Sequence, residues 1–290
     1  MRPLTDALRL PVVLARYREL LGAFVRRELK ARIEGSILGR VWPVLQPTLL
    51  FLIYYFIFVK ILRIGFTDQL APHGDEGKGW RNTFYLITGI LPWTALAESL
   101  NRGTGVVLEN ANLIKKIAFP SELLPVYQVI VYHVYFIVGF AVLLAMELAV
   151  NGALPAALLW FPVVLLVQLM FITGLAMFLS AANVFVRDVM QAVPMALVFW
   201  MFTTPVFYDV MAITGSGKLS GETDWAGYAG TAMHYNPMAI LLGIYRAIFS
   251  YGAIPFPIVG LLKLGLVAAI ILWLGYAYFL RSKGRFADEV

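Results

Sequence analysis

From Leu148 to Val186 the chain runs for 39 residues without a charged side chain. A helix crosses the hydrocarbon core of a bilayer in about 20 apolar residues, so this run is too long for a single crossing. Asn151-Gly152 and Pro155 carry turn chemistry near its start. The remainder reads as one span over 158–182. Composition points the same way: 60% of the residues are hydrophobic and only 14% are charged, against roughly half and a quarter in a soluble domain.

Five further apolar stretches take the same reading. They cover about 41–62, 82–100, 123–146, 189–208 and 258–280, the last with Lys263 near one end, where a long amine can snorkel to the interface. The expectation is an all-α integral membrane protein with six transmembrane helices. Residues 1–40 form a cytoplasmic N-terminal segment, and 41–290 form a single six-span domain. An even count places both termini on one side. With the termini inside, 16 of the 23 Lys and Arg fall on cytoplasmic segments, the bias that orients membrane proteins. The N-terminal residues, which include Arg2, Asp6 and Arg9, lack the apolar core and cleavage site of a signal peptide.

Two segments are neither spans nor plain loops. In Val13–Ile33, Val13, Tyr17, Leu20, Leu21, Phe24 and Leu29 recur at helical spacing among basic residues. That pattern is an amphipathic helix lying in the membrane interface, or an ordinary cytoplasmic helix packed on a partner. Between spans five and six, Asn236-Pro237 opens an apolar stretch over 238–249, too short to cross and read as a re-entrant or short outer helix.

Chemistry for catalysis is sparse. There is no cysteine, and His73, His133 and His234 lie far apart, so no metal motif forms. Gly215-Ser216-Gly217-Lys218 resembles the end of a phosphate-binding loop. Ala212 stands where the first glycine belongs, however, and Leu219 stands where a magnesium-holding hydroxyl belongs. The spans are rich in aromatics instead. These are either interfacial belts and packing, or a pore wall whose ring faces suit sugars.

Four stretches together carry a family resemblance. They are Arg26–Lys30 followed by "GSILGRVWPVLQPTLL" at 35–50; "LITGILPWTALAESLNRG" at 86–103; "NANLIKKIAFPSELLPV" at 110–126; and "NVFVRDV", "TPVFYD" and "YNPMAILLGIYR" at 183–189, 204–209 and 235–246. In this order they resemble the membrane subunit of polysaccharide-export ABC transporters, the Wzm- and TagG-like group, with KpsM of capsule export more distant.

The resemblance implies a permease rather than an enzyme. It would work as two copies of itself with two copies of a cytoplasmic ABC ATPase, which binds the ATP and magnesium; no cofactor belongs to this chain and no nucleic acid is involved. The cargo would be a lipid-linked (undecaprenyl pyrophosphate) polysaccharide, most simply O-antigen, crossing the bacterial inner membrane. Teichoic acid, capsule, and drug or lipid export stand as alternatives, and a membrane enzyme of glycan assembly stands outside the class. By resemblance, Asn112, Leu113, Ile114, Lys115 and Lys116 face the ATPase, with Arg187 and Asp188 in a smaller second contact. Arg26, Arg27, Lys30, Arg32 and Arg40 would meet the lipid pyrophosphate or attract anionic lipid, and Tyr54, Tyr55, Phe58, Phe199, Trp200 and Phe202 would line the channel.

Overall fold

The computed structural model describes residues 9–32, 34, 39–61, 78–116, 119–208, 235–249 and 256–289. Residues 209–234, with the Gly215–Lys218 fragment and His234, lie outside the described residues, as do His73 and most of the outer loop over 65–81. Among the described residues every regular element is helical.

The N-terminal segment is two helices rather than the single amphipathic one expected. Helix α1 is Leu10–Arg16 and α2 is Arg18–Ala31. They meet at Tyr17, whose φ of −105° and ψ of 23° leave the helical region. Only Phe24 of α2 is buried. Its ring stacks on Tyr127 at 5.4 Å and meets that of Phe119 edge to face at 5.6 Å, and Leu21, Val25 and Leu29 pack on the same cluster, half-buried.

Helix α3, Trp42–Tyr54, passes directly into a wider-wound stretch, Tyr55–Ile61. Helix α4, Lys78–Glu109, is 32 residues long, about 48 Å at 1.5 Å per residue. It runs nine residues past the end expected at residue 100. The reason is amphipathic: Glu98, Arg102 and Glu109 are exposed, while Leu100, Gly103, Val106 and Val107 on the other side are buried. The Asn110 side chain donates to the Val106 carbonyl at 2.8 Å as the helix ends, and the six-residue α5, Ala111–Lys116, follows.

Helix α6, Leu123–Asn151, outlasts its expected end at 146 and stops where Gly152 adopts φ 70°. A short 3₁₀ turn, Ala156–Trp160, leads into α7, Phe161–Phe185. Helix α8, Val189–Thr203, stops five residues before the expected 208. Pro205 cannot continue it, and the chain there turns through Tyr208. Helix α9, Pro237–Ile248, is capped by Asn236, which accepts from the Met238 N–H at 3.0 Å. Helix α10, Ile258–Lys283, and the single turn α11, Phe286–Glu289, complete the order.

Among the described residues, three helical stretches are long and apolar enough to cross a membrane: Leu123–Asn151, Ala156–Phe185 and Ile258–Lys283. The other three expected spans fall on α3 with its continuation, on the charge-bearing α4, and on the short α8.

Helix α4 is central, packing on α6, α7, α8 and α9. The tightest pair is α7 with α10. A Cβ at Gly174 would lie 2.6 Å from the Ile271 backbone, and one at Gly275 would fall on the Gly174 carbonyl oxygen. Two glycines therefore let these backbones touch, which is how helices associate where lipid removes the hydrophobic drive between them.

Candidate functional site

At one end of the bundle a compact apolar cluster gathers α1, α2, α6, α7, α10 and α11 around Phe24, Tyr127, Phe279 and Phe286. On its rim sits α5. Leu113 and Ile114 are half-buried against this cluster, while Asn112 and Lys115 are exposed. The helix thus turns its apolar side to its own chain and its polar side outward, where all five residues were expected to face a partner. The side chains of Lys116, Arg40, Tyr54 and Phe58 lie outside the described set.

The second expected contact is the turn between α7 and α8. Val186 is extended, and Arg187 and Asp188 are exposed. Buried Asn183 pins the turn by accepting the Met190 N–H on its Oδ1 at 3.1 Å. Nearby, Lys283 Nζ reaches both carboxylate oxygens of Glu122 at 2.8 Å. The Glu122 side chain is only 6% exposed, so this pair fastens the start of α6 to the end of α10 with little screening.

The N-terminal cations divide. Arg26 is exposed. Arg27 lies 4.8 Å over the Phe24 ring, and Lys30 pairs with Glu34 at 3.1 Å on the surface. Arg32 is engaged within the chain: it donates to the Tyr132 hydroxyl at 2.6 Å, sits over the Tyr132 ring, and lies 3.5 Å from Glu28. Burial works against its charge, but the hydrogen bond to Tyr132 and the neighbouring Tyr132, Tyr135 and Glu28 leave its pKa above the ordinary arginine value.

Among the described aromatic candidates, those on α8 differ in exposure. Phe199 and Phe202 are exposed. Trp200, on the opposite side of α8, points inward; its Nε1 donates to Asn236 Oδ1 at 3.1 Å and its ring meets the edge of Trp93 at 5.9 Å. Tyr55 is half-buried, with the Lys60 amine 5.8 Å from its ring. His133 is buried, with Nδ1 2.7 Å from the Val129 carbonyl oxygen. Among the described residues no group of acidic, His or Cys side chains could hold a metal ion.

One site had no forecast in the sequence. Arg246 of α9 is buried, lies 3.6 Å over the Tyr85 ring, and donates to the carbonyls of Pro205 and Val206 at 2.7 and 3.1 Å. Gly89 makes room for it, since a Cβ there would stand 2.9 Å from the guanidinium. Asn236 works beside it, donating to Thr204 Oγ1 at 2.9 Å while accepting from Trp200. These contacts fix the chain where α8 ends. The available signal was Asn236-Pro237 together with an arginine in an otherwise apolar segment.

Long apolar helices, close-packed through glycine and carrying their charge at the ends, define a helical membrane protein. Residues 19–219 match the ABC-2 type transporter family, and the chain belongs to it. It is 31% identical over 283 residues to the O-antigen export system permease protein RfbA of Myxococcus xanthus, covering 98% of this chain and all of that one. It is 28% identical over 273 residues to the protein of the same description from Klebsiella pneumoniae, covering 93% and 94% of the two chains. The family expected from the sequence motifs is therefore the one found.

Proposed function

We propose that the chain is the permease subunit of an ATP-driven exporter that moves lipid-linked polysaccharide, in the first place O-antigen, across the bacterial inner membrane. The observation that carries this is the near end-to-end similarity to O-antigen export permeases, joined to an exposed polar edge on α5 of the kind an ATPase cleft can seat. Two copies pair, and two separate ATPase chains supply ATP and magnesium. Six spans cross the membrane, formed by α3 with its continuation, α4, α6, α7, α8 and α10, with both termini in the cytoplasm. The Lys and Arg bias supports that orientation.

Asn112, Lys115 and Lys116 contact the ATPase directly, with Leu113 and Ile114 seating the helix from behind, and Arg187 and Asp188 form the second contact. Arg26 has the exposure a lipid pyrophosphate requires, and Arg27, Lys30 and Arg40 join it in meeting the phosphates, since guanidinium suits bidentate phosphate contacts. Arg32 serves to hold α2 to α6. Phe199 and Phe202, which are exposed on α8, meet the polymer in the assembled channel, and Tyr54, Tyr55 and Phe58 of the first span join them.

The test uses the assembled complex. Lys115→Glu with Arg187→Glu is expected to reduce ATPase co-purification and surface polysaccharide together, while insertion of the permease persists. Wild-type levels of both would remove these segments from the ATPase interface. Deleting the permease is expected to leave lipid-linked polymer accumulating inside the cell, and its absence would overturn the cargo assignment.

A further inference from the structure

The two segments read as ATPase contacts are distant in sequence, yet both rest on the same small element. Helix α11 packs on α5 and on α7. Its Phe286 is fully buried in the cluster that also receives Leu113, Ile114 and Phe185. The Phe286 ring centroid lies 5.2 Å from that of Phe279, edge to face, and 6.5 Å from that of Phe185. Phe185 is the last residue of α7, directly before the 186–188 turn. Beside it, the Arg285 guanidinium lies 4.7 Å over the Phe185 ring. The Lys283–Glu122 pair then ties the same stretch of chain to the start of α6.

Helix α5 has six residues, too few to be stable alone. Its position must come from what it packs on. The turn at 186–188 is closed by its own backbone hydrogen bonds, and the Asn183 bond and the Phe185 contacts seat it against the bundle.

We infer that Phe286 is a positioning residue for energy coupling: it joins α5 and the α7–α8 turn into one unit, so that a push on either is felt by both. The inference rests on the reading of those segments as the ATPase contacts. Packed side chains carry coupling between sites when they move together as one element, and Phe286 is the fully buried side chain of the one-turn helix that packs on both α5 and α7. Without it, α5 would move independently of the turn, and ATP turnover would be separated from transport.

The chain has no cysteine, so paired spin labels can be placed without background. Labels on Asn112→Cys and Arg187→Cys, in the permease alone in nanodiscs, report the relative position of the two segments. Phe286→Ala is expected to broaden that distance distribution, Phe286→Leu to restore it, and a control pair at Ile137 and Leu262 to stay unchanged. If Phe286→Ala does not accumulate, Phe286→Val takes its place. In the complete complex, Phe286→Ala is expected to lower polysaccharide export about two- to thirtyfold with basal ATP turnover unchanged, the range for residues that modulate coupling from outside both sites. An unchanged 112–187 distribution overturns the inference, as does normal export despite broadening. Joint loss of ATPase activity and export, unrelieved by Phe286→Leu, also overturns it by reducing Phe286 to general stability. The label measurement needs no ATPase, so it stands even if Lys115→Glu with Arg187→Glu shows the ATPase contacts to be misassigned.

Discussion

Gly174→Ala tests the α7–α10 crossing directly. The new methyl group would lie 2.6 Å from the carbonyl carbon and oxygen of Ile271 and from the Leu272 Cα, where ordinary contact begins at 3.4 Å. These atoms are backbone on a packed helix, so no side chain can swing away. The helices must part by about 0.8 Å, and gaps of 0.5–1 Å forfeit a quarter to a half of each dispersion contact. Overpacking of this kind costs about 1–3 kcal/mol. Helix propensity works the other way, favouring Ala over Gly by up to about 1 kcal/mol. The net expectation is a loss of about 1–2 kcal/mol, read as a lower thermal midpoint in detergent and an earlier transition in denaturing-detergent titration. Gly265→Ala is the matched control on α10. Its nearest neighbour, Val167 Cγ2, would stand at an ordinary 3.9 Å, so stability should hold or rise. If Gly174→Ala behaves like Gly265→Ala, the backbones do not touch there and the reasoning fails.

Two further outcomes follow from buried charge. Arg246→Met keeps an unbranched stem but leaves the Pro205 and Val206 carbonyls without their donor, for an expected loss of about 1–3 kcal/mol. Gly89→Ala displaces the same guanidinium, so the double variant should cost clearly less than the two losses combined, as thermal midpoints would report. For the Glu122–Lys283 pair, a double-mutant cycle with Glu122→Gln and Lys283→Met should return a coupling of about 1–2 kcal/mol, between the values for exposed and buried pairs. A coupling near zero would mean that water screens the pair.

The long apolar runs made α6, α7 and α10 legible, because length and hydropathy are local properties. Asn236-Pro237 marked a helix start for the same reason: a cap acts on its own neighbours. The extension of α4 to Glu109 was written in the sequence as Glu98, Arg102 and Glu109 along one side, but the charges read more simply as the end of a span. The break at Tyr17 carries no Gly or Pro to announce it. What sequence order conceals is partnership. Nothing near Arg246 names Tyr85, and nothing near Trp200 says that it points to Asn236 while Phe199 points away. The outward side of α5 was legible only by resemblance, and Phe286 was not legible as its support because the two lie far apart in the chain.

The glycine contact between α7 and α10 also sets a clock. Gly174 emerges from the ribosome about a hundred residues ahead of Gly275. At about 5–20 residues per second, that interval is roughly 5–20 s. Throughout it, α7 has been made while the helix that must seat against its Gly174 face has not. The newly inserted chain therefore waits with that face turned to lipid or to the insertion machinery, and this part of the bundle can close only after Gly275 has been made.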